Sequence, residues 1–91
     1  MSPMAADPLP VLYVKTGCPW CQEVISFLMT YGIEYREKNV SEDRQAFEEM
    51  KRKSGQTQAP TLDWRGKILA DFGVQELRPF LVEQNVRFED S

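Results

Sequence analysis

Apolar residues come in short bursts along the chain, and their spacing switches between two periods. "VLYVK" (11–15) is apolar and β-branched and reads as a buried strand. Trp20, Val24, Phe27, Leu28 and Tyr31 then recur at helical spacing. Pro19 sits where that helix starts, at a position that tolerates a missing N–H, and Gly32 is a natural stop. "EYREKNV" (34–40) alternates as a second strand. Ser41 or Asp43 can cap the next helix, whose stripe is Ala46, Phe47 and Met50 and whose end is Gly55. Glu42 and Asp43 near its start and Lys51, Arg52 and Lys53 near its end suit the helix dipole. "APTLDW" (59–64) and "KILADF" (67–72), joined by Arg65–Gly66, read as a hairpin. A last helix carries Leu77, Phe80 and Leu81. Pro79 in it must lie in the first turn or kink the helix.

The resulting order, β-α-β-α-β-β-α, is that of an α/β domain. The first two strands, joined through a helix, should be parallel with a right-handed crossover. The hairpin adds two antiparallel strands, giving a mixed four-stranded sheet in the order 2-1-3-4, covered by helices. Residues 1–9, with Pro3 and Pro8, read as a flexible lead-in, 10–86 as the single domain, and 87–91 as a polar tail.

Composition narrows the chemistry. The 91 residues contain no histidine, which excludes Cys-His pairs, Ser-His-Asp triads and histidine metal sites within the chain. The only two cysteines, Cys18 and Cys21, are too few for a zinc site of four thiolates. They also close too short a loop to be a useful staple. The net charge is −3 with acidic and basic residues interleaved, so a nucleic-acid-binding face is not expected. The first ten residues lack the charged and apolar regions of a signal peptide, and nothing approaches a membrane-spanning length. A cytoplasmic protein is expected, where a lone CxxC reads as catalytic or metal-binding.

The strand–CPWC–helix context favours redox chemistry. Cys18 at a helix N-terminus meets unpaired N–H groups and the positive dipole end, both favouring the thiolate. Lys15 adds a positive charge nearby. Cys21 lies one turn along, in line with Val24 and Leu28, and should point inward. Cys18 is therefore expected to attack and Cys21 to resolve.

"KTGCPWCQ" resembles the active-site motif of glutaredoxins, usually K-x-x-C-P-Y-C, and "SGQTQAPT" resembles their second motif. The resemblance spans residues 10–85 and implies the thioredoxin fold. It also implies a cis Ala59–Pro60 peptide lying against Cys18, with the Ala59 backbone available to an extended substrate. Carried over by position, glutathione would meet Lys15, Trp20, Gln56 and Ala59. Trp20 replaces the usual tyrosine as one wall of the groove. "FGVQEL" (72–77) matches the segment that holds the γ-glutamyl group through backbone amides and an aspartate. Gly73 is kept, Val74 stands in the Cys or Ser place, and Gln75 stands where an aspartate is usual. Asp71 or Glu76 could supply the missing carboxylate.

The resemblance implies a monomeric dithiol oxidoreductase with no tightly bound cofactor. Glutathione is its co-substrate, and disulfide-bearing or glutathionylated proteins are its partners. A glutaredoxin-like hydrogen donor recharged by thioredoxin reductase is the alternative that Gln75 favours. An iron–sulfur-binding or non-catalytic adaptor module is the alternative of another class. Four thiolates for a cluster require two chains, and Pro19 and Trp20 crowd such a site.

Overall fold

A computed structural model describes residues 9–87; the lead-in up to Pro8 and the tail from residue 88 lie outside them. The chain forms β1 (Val11–Val14), α1 (Pro19–Thr30), β2 (Arg36–Asn39), α2 (Arg44–Ser54), β3 (Thr61–Trp64), β4 (Lys67–Ala70) and α3 (Val74–Glu83). The sheet order is β2-β1-β3-β4. β1 pairs parallel with β2 and antiparallel with β3, and β3 pairs antiparallel with β4. This is the thioredoxin-like α/β architecture expected from the element order.

Alternation along the central strands sorts the core into two layers. Leu12 and Val14 of β1 and Leu62 and Trp64 of β3 face α1 and α3, where Val24, Leu28, Leu77 and Leu81 are buried with them. Tyr13, between Leu12 and Val14, faces the other way and packs with Val40, Ala46 and Met50 under α2. That second layer is small and contains a polar network. The Tyr13 hydroxyl donates to Glu49 Oε1 at 2.7 Å, and Lys38 Nζ donates to the same oxygen at 2.8 Å. Lys53 Nζ donates to the Tyr13 oxygen at 3.2 Å and to Asp63 Oδ2 at 2.7 Å. The bonds from Lys38 and Tyr13 hold the Glu49 carboxyl below its ordinary range.

Several element ends differ from the sequence reading, each for a local reason. Asp43 caps α2, its Oδ1 accepting from Gln45 and Ala46 N–H, while Ser41 Oγ accepts the Thr16 N–H instead. β3 starts after Pro60, whose ring has no N–H for a ladder. β4 stops at Ala70 because Asp71 turns left-handed (φ 53°). The hairpin turn has positive φ at both Arg65 and Gly66, the conformation of a type I′ turn. Pro79 lies inside α3, beyond the first turn. Its missing N–H leaves the carbonyl of Gln75 without the usual i−4 donor, and Gln75 is exposed to water.

Candidate active site

β1 carries the chain along the middle of the sheet to its own C-terminal end, and a short loop turns it into α1. That loop is pinned from the side. Thr16 N–H donates to Ser41 Oγ at 3.1 Å, and Asn39 Nδ2 donates to Thr16 Oγ1 at 3.1 Å. Gly17 takes φ 76°, a left-handed conformation that a side chain would resist. Cys18 follows as the N-cap of α1, with Pro19 at the helix start.

The cap is made by sulfur. Cys18 Sγ accepts the Cys21 N–H at 3.2 Å, which satisfies one of the orphan donors of the first turn. The Cys18 thiol is partly exposed, and Cys21 is fully buried (0%) with Val24 and Leu28. Burial pushes the Cys21 thiol up to about 12. Its hydrogen bond and charge interaction with Cys18 add to the rise, and Lys15 opposes it. The pair is thus chemically unequal: the inner thiol is buried and keeps its proton, while the outer sulfur is partly exposed and accepts a backbone N–H.

Cys18 opens into a groove of about 760 Å³. Lys15, Pro19 and Trp20 line it on the β1–α1 side, Ala59 and Pro60 along the floor, and Gly73, Val74 and Gln75 at the start of α3. The Ala59–Pro60 peptide is cis. The Cys18 thiol lies 3.9 Å from the Ala59 carbonyl oxygen, and the Ala59 N–H has no partner among the described residues. Trp20 is 61% exposed. Its Cδ1 lies 3.5 Å from where a Cβ on Gly73 would stand, so the indole edge reaches the opposite wall.

Gln56 does not line this groove. Its amide is consumed in shaping the loop before Pro60. Nε2 donates to Ser54 Oγ, the Gln58 carbonyl and Thr61 Oγ1, and Oε1 accepts the Gln58 N–H at 2.7 Å. These bonds position the segment that carries Ala59.

Asp71 and Glu76, the two acids near Gln75, both line the groove. Glu76 Oε1 accepts the Gly73 N–H at 2.8 Å, one arm of a capping box. The Gly73–Glu76 spacing is a sequence signal for that bond. Glu23, on the exposed face of α1 beyond Cys21, also lines the groove, and no spacing pattern pointed to it. Among the described residues no cluster of acidic or cysteine side chains could hold a metal ion.

Residues 11–69, well over half of the chain, match the glutaredoxin family. The chain belongs to the glutaredoxin family. An uncharacterised glutaredoxin-like 8.6 kDa protein from the rubredoxin operon of Clostridium pasteurianum is 30% identical over 66 residues, covering 72% of this chain and 88% of that one. The thioredoxin-like protein BC3987 superposes with a TM-score of 0.73 at 26% identity, over 79% of this chain and 99% of that one. A buckwheat glutaredoxin solved in complex with glutathione superposes with a TM-score of 0.61 at 20% identity, over 84% and 78% of the two chains. At that identity the likeness is one of fold. The two free cysteines of this glutaredoxin-family protein lie within the matched region, at the N-cap and in the first turn of α1.

Proposed function

We propose that the protein is a dithiol thiol-disulfide oxidoreductase that reduces protein disulfides or glutathione mixed disulfides, with glutathione as the recharging co-substrate. The observation that carries this reading is the Cys21 N–H bonded to a partly exposed Cys18 sulfur above a substrate-sized groove. The glutathione bound to the buckwheat relative supports the choice of co-substrate.

The Cys18 thiolate attacks one sulfur of the substrate. A new S–S bond forms as the old one breaks, and the leaving thiolate takes a proton from solvent. Ala59 N–H and carbonyl offer the extended substrate a strand-like partner beside the sulfur. Lys15 favours an anionic end of the bound thiol. Formation of the mixed disulfide removes the thiolate charge that Cys18 presented to Cys21 and weakens its sulfur as an acceptor. Two of the causes that raise the Cys21 thiol act through Cys18, so Cys21 becomes easier to ionise at the step that needs it. Its thiolate then attacks Cys18 Sγ, releasing the second substrate thiolate and leaving a Cys18–Cys21 disulfide. Two glutathione molecules return that disulfide to the dithiol and leave as glutathione disulfide.

Recharging by a thioredoxin reductase is the second reading. It is favoured by the exposed Gln75 where the family commonly has an aspartate and by the commitment of Glu76 to the Gly73 N–H. The test measures NADPH oxidation with a glutathionylated substrate, glutathione and glutathione reductase, and in parallel with thioredoxin reductase and a protein disulfide. Turnover in the first assay is expected. Turnover only in the second would replace glutathione as the co-substrate, and activity in neither would end the oxidoreductase reading.

A further inference from the structure

The groove around Cys18 is unbalanced in charge. Among the described residues Lys15 is its only cationic lining residue, against the carboxyl groups of Glu23, Asp71 and Glu76. The start of α3, where backbone N–H groups would welcome an incoming anion, already has one: Glu76 Oε1 accepts the Gly73 N–H at 2.8 Å. An anionic substrate group arriving there meets a like charge beside the donors it needs. Trp20, whose edge reaches Gly73, narrows the same approach. A cationic group meets attraction from α1 through Glu23 and from α3 through Glu76. Glutathione carries more carboxylates than ammonium groups and is itself an anion, so it gains least from this lining.

We propose that Glu76 and Glu23 are specificity-determining residues that direct Cys18 toward peptide or protein disulfides with a basic residue beside the reactive cysteine. This rests on the dithiol oxidoreductase reading. The exchange itself is unchanged: one protein dithiol and one peptide disulfide give one protein disulfide and two peptide thiols, electrons passing from the protein sulfurs to the peptide sulfurs. The carboxylates act on encounter and on binding, through charge complementarity.

The test uses the reduced full chain and disulfide-linked homodimers of three acetylated, amidated tripeptides, Gly-Cys-Lys, Gly-Cys-Gln and Gly-Cys-Glu. Released peptide thiol is followed by acid-quenched flow and chromatography. Each rate is divided by that of dithiothreitol with the same peptide, which cancels the effect of the neighbouring charge on the leaving sulfur. The expected order is Lys above Gln above Glu, with Lys and Glu about tenfold apart at low salt. The spread should shrink at about 0.5 M salt, where screening is short-ranged. In the Glu23→Gln/Glu76→Gln double variant it should fall to about threefold or less. Gln at position 76 keeps an oxygen for the Gly73 N–H, and Glu23→Gln alone, on an exposed helix face, should shift the ratio the same way. A flat or reversed order, or one that the variants leave unchanged, overturns the proposal. If dithiothreitol reduces all three peptides and the protein reduces none, the oxidoreductase reading falls and this inference with it.

Discussion

The backbone N–H of Cys21 donates to the sulfur of Cys18 at 3.2 Å, while the Cys21 side chain is sealed in the core. In the proposed reaction one residue therefore serves its partner twice, first as a donor to the attacking sulfur and later as the resolving thiol. Replacing the Cys21 side chain leaves its N–H in place. Cys18→Ser should abolish turnover of every disulfide, by roughly a thousandfold or more. Cys21→Ser should retain turnover of glutathione mixed disulfides and lose the reduction of intramolecular protein disulfides. Paired NADPH-coupled assays on the two substrate types check this.

The inequality of the two thiols should be visible to an alkylating reagent. Iodoacetamide at pH 8 is expected to modify Cys18 and spare Cys21, because Cys21 is fully buried and holds its proton up to about 12. Peptide mass mapping after brief exposure reads the two sites separately. Equal labelling in the folded protein would contradict the burial.

The same shift has a consequence for stability. The Cys21 thiol ionises near 9.0 in an ordinary setting and at about 12 in the fold. Above pH 9 the unfolded chain loses this proton while the folded chain keeps it, so unfolding is favoured increasingly as pH rises toward 12. Tyr13 and Tyr35, both raised chiefly by burial, act in the same direction from about pH 10. The urea midpoint should fall between pH 8 and pH 10.5, and by less in Cys21→Ala, compared with each protein's own value at pH 8.

Tyr13→Phe keeps the ring in the α2-side core and removes the hydroxyl that links Glu49 and Lys53. The variant should lose about 1–2 kcal/mol, seen as a lower urea midpoint with an unchanged slope. Activity toward disulfides should be kept, because Tyr13 faces away from the layer that holds Cys21.

Much of this molecule is legible in its sequence because the deciding signals are local. β-branched runs, the helical spacing of Trp20 to Leu28, Gly55 at a left-handed C-cap and the Arg65–Gly66 turn each act within a few residues. The element order then fixes the sheet through the chirality of the crossover. The groove is less legible, because its walls come from three distant segments. Gln56 matches a family motif, yet its amide turns into its own loop, a choice set by Ser54, Gln58 and Thr61. Glu23 carries no motif at all, and only the fold places it opposite Glu76. Pro79 shows the same limit from the other side. Its cost is local, but the packing of Leu77 and Leu81 on α1 keeps the helix running through it.

The inward layers on the two faces of the sheet separate two tasks. Among the described residues the groove is lined by the β1–α1 loop, the start of α1, the approach to β3, the β4–α3 loop and the start of α3, with none from α2. That makes α2 the natural handle of the molecule. A fluorophore, an affinity tag or a tethered reductase attached at exposed Arg52 would sit across the sheet from Cys18 and Cys21. Such a graft could be exchanged freely while the chemistry at Cys18 runs undisturbed.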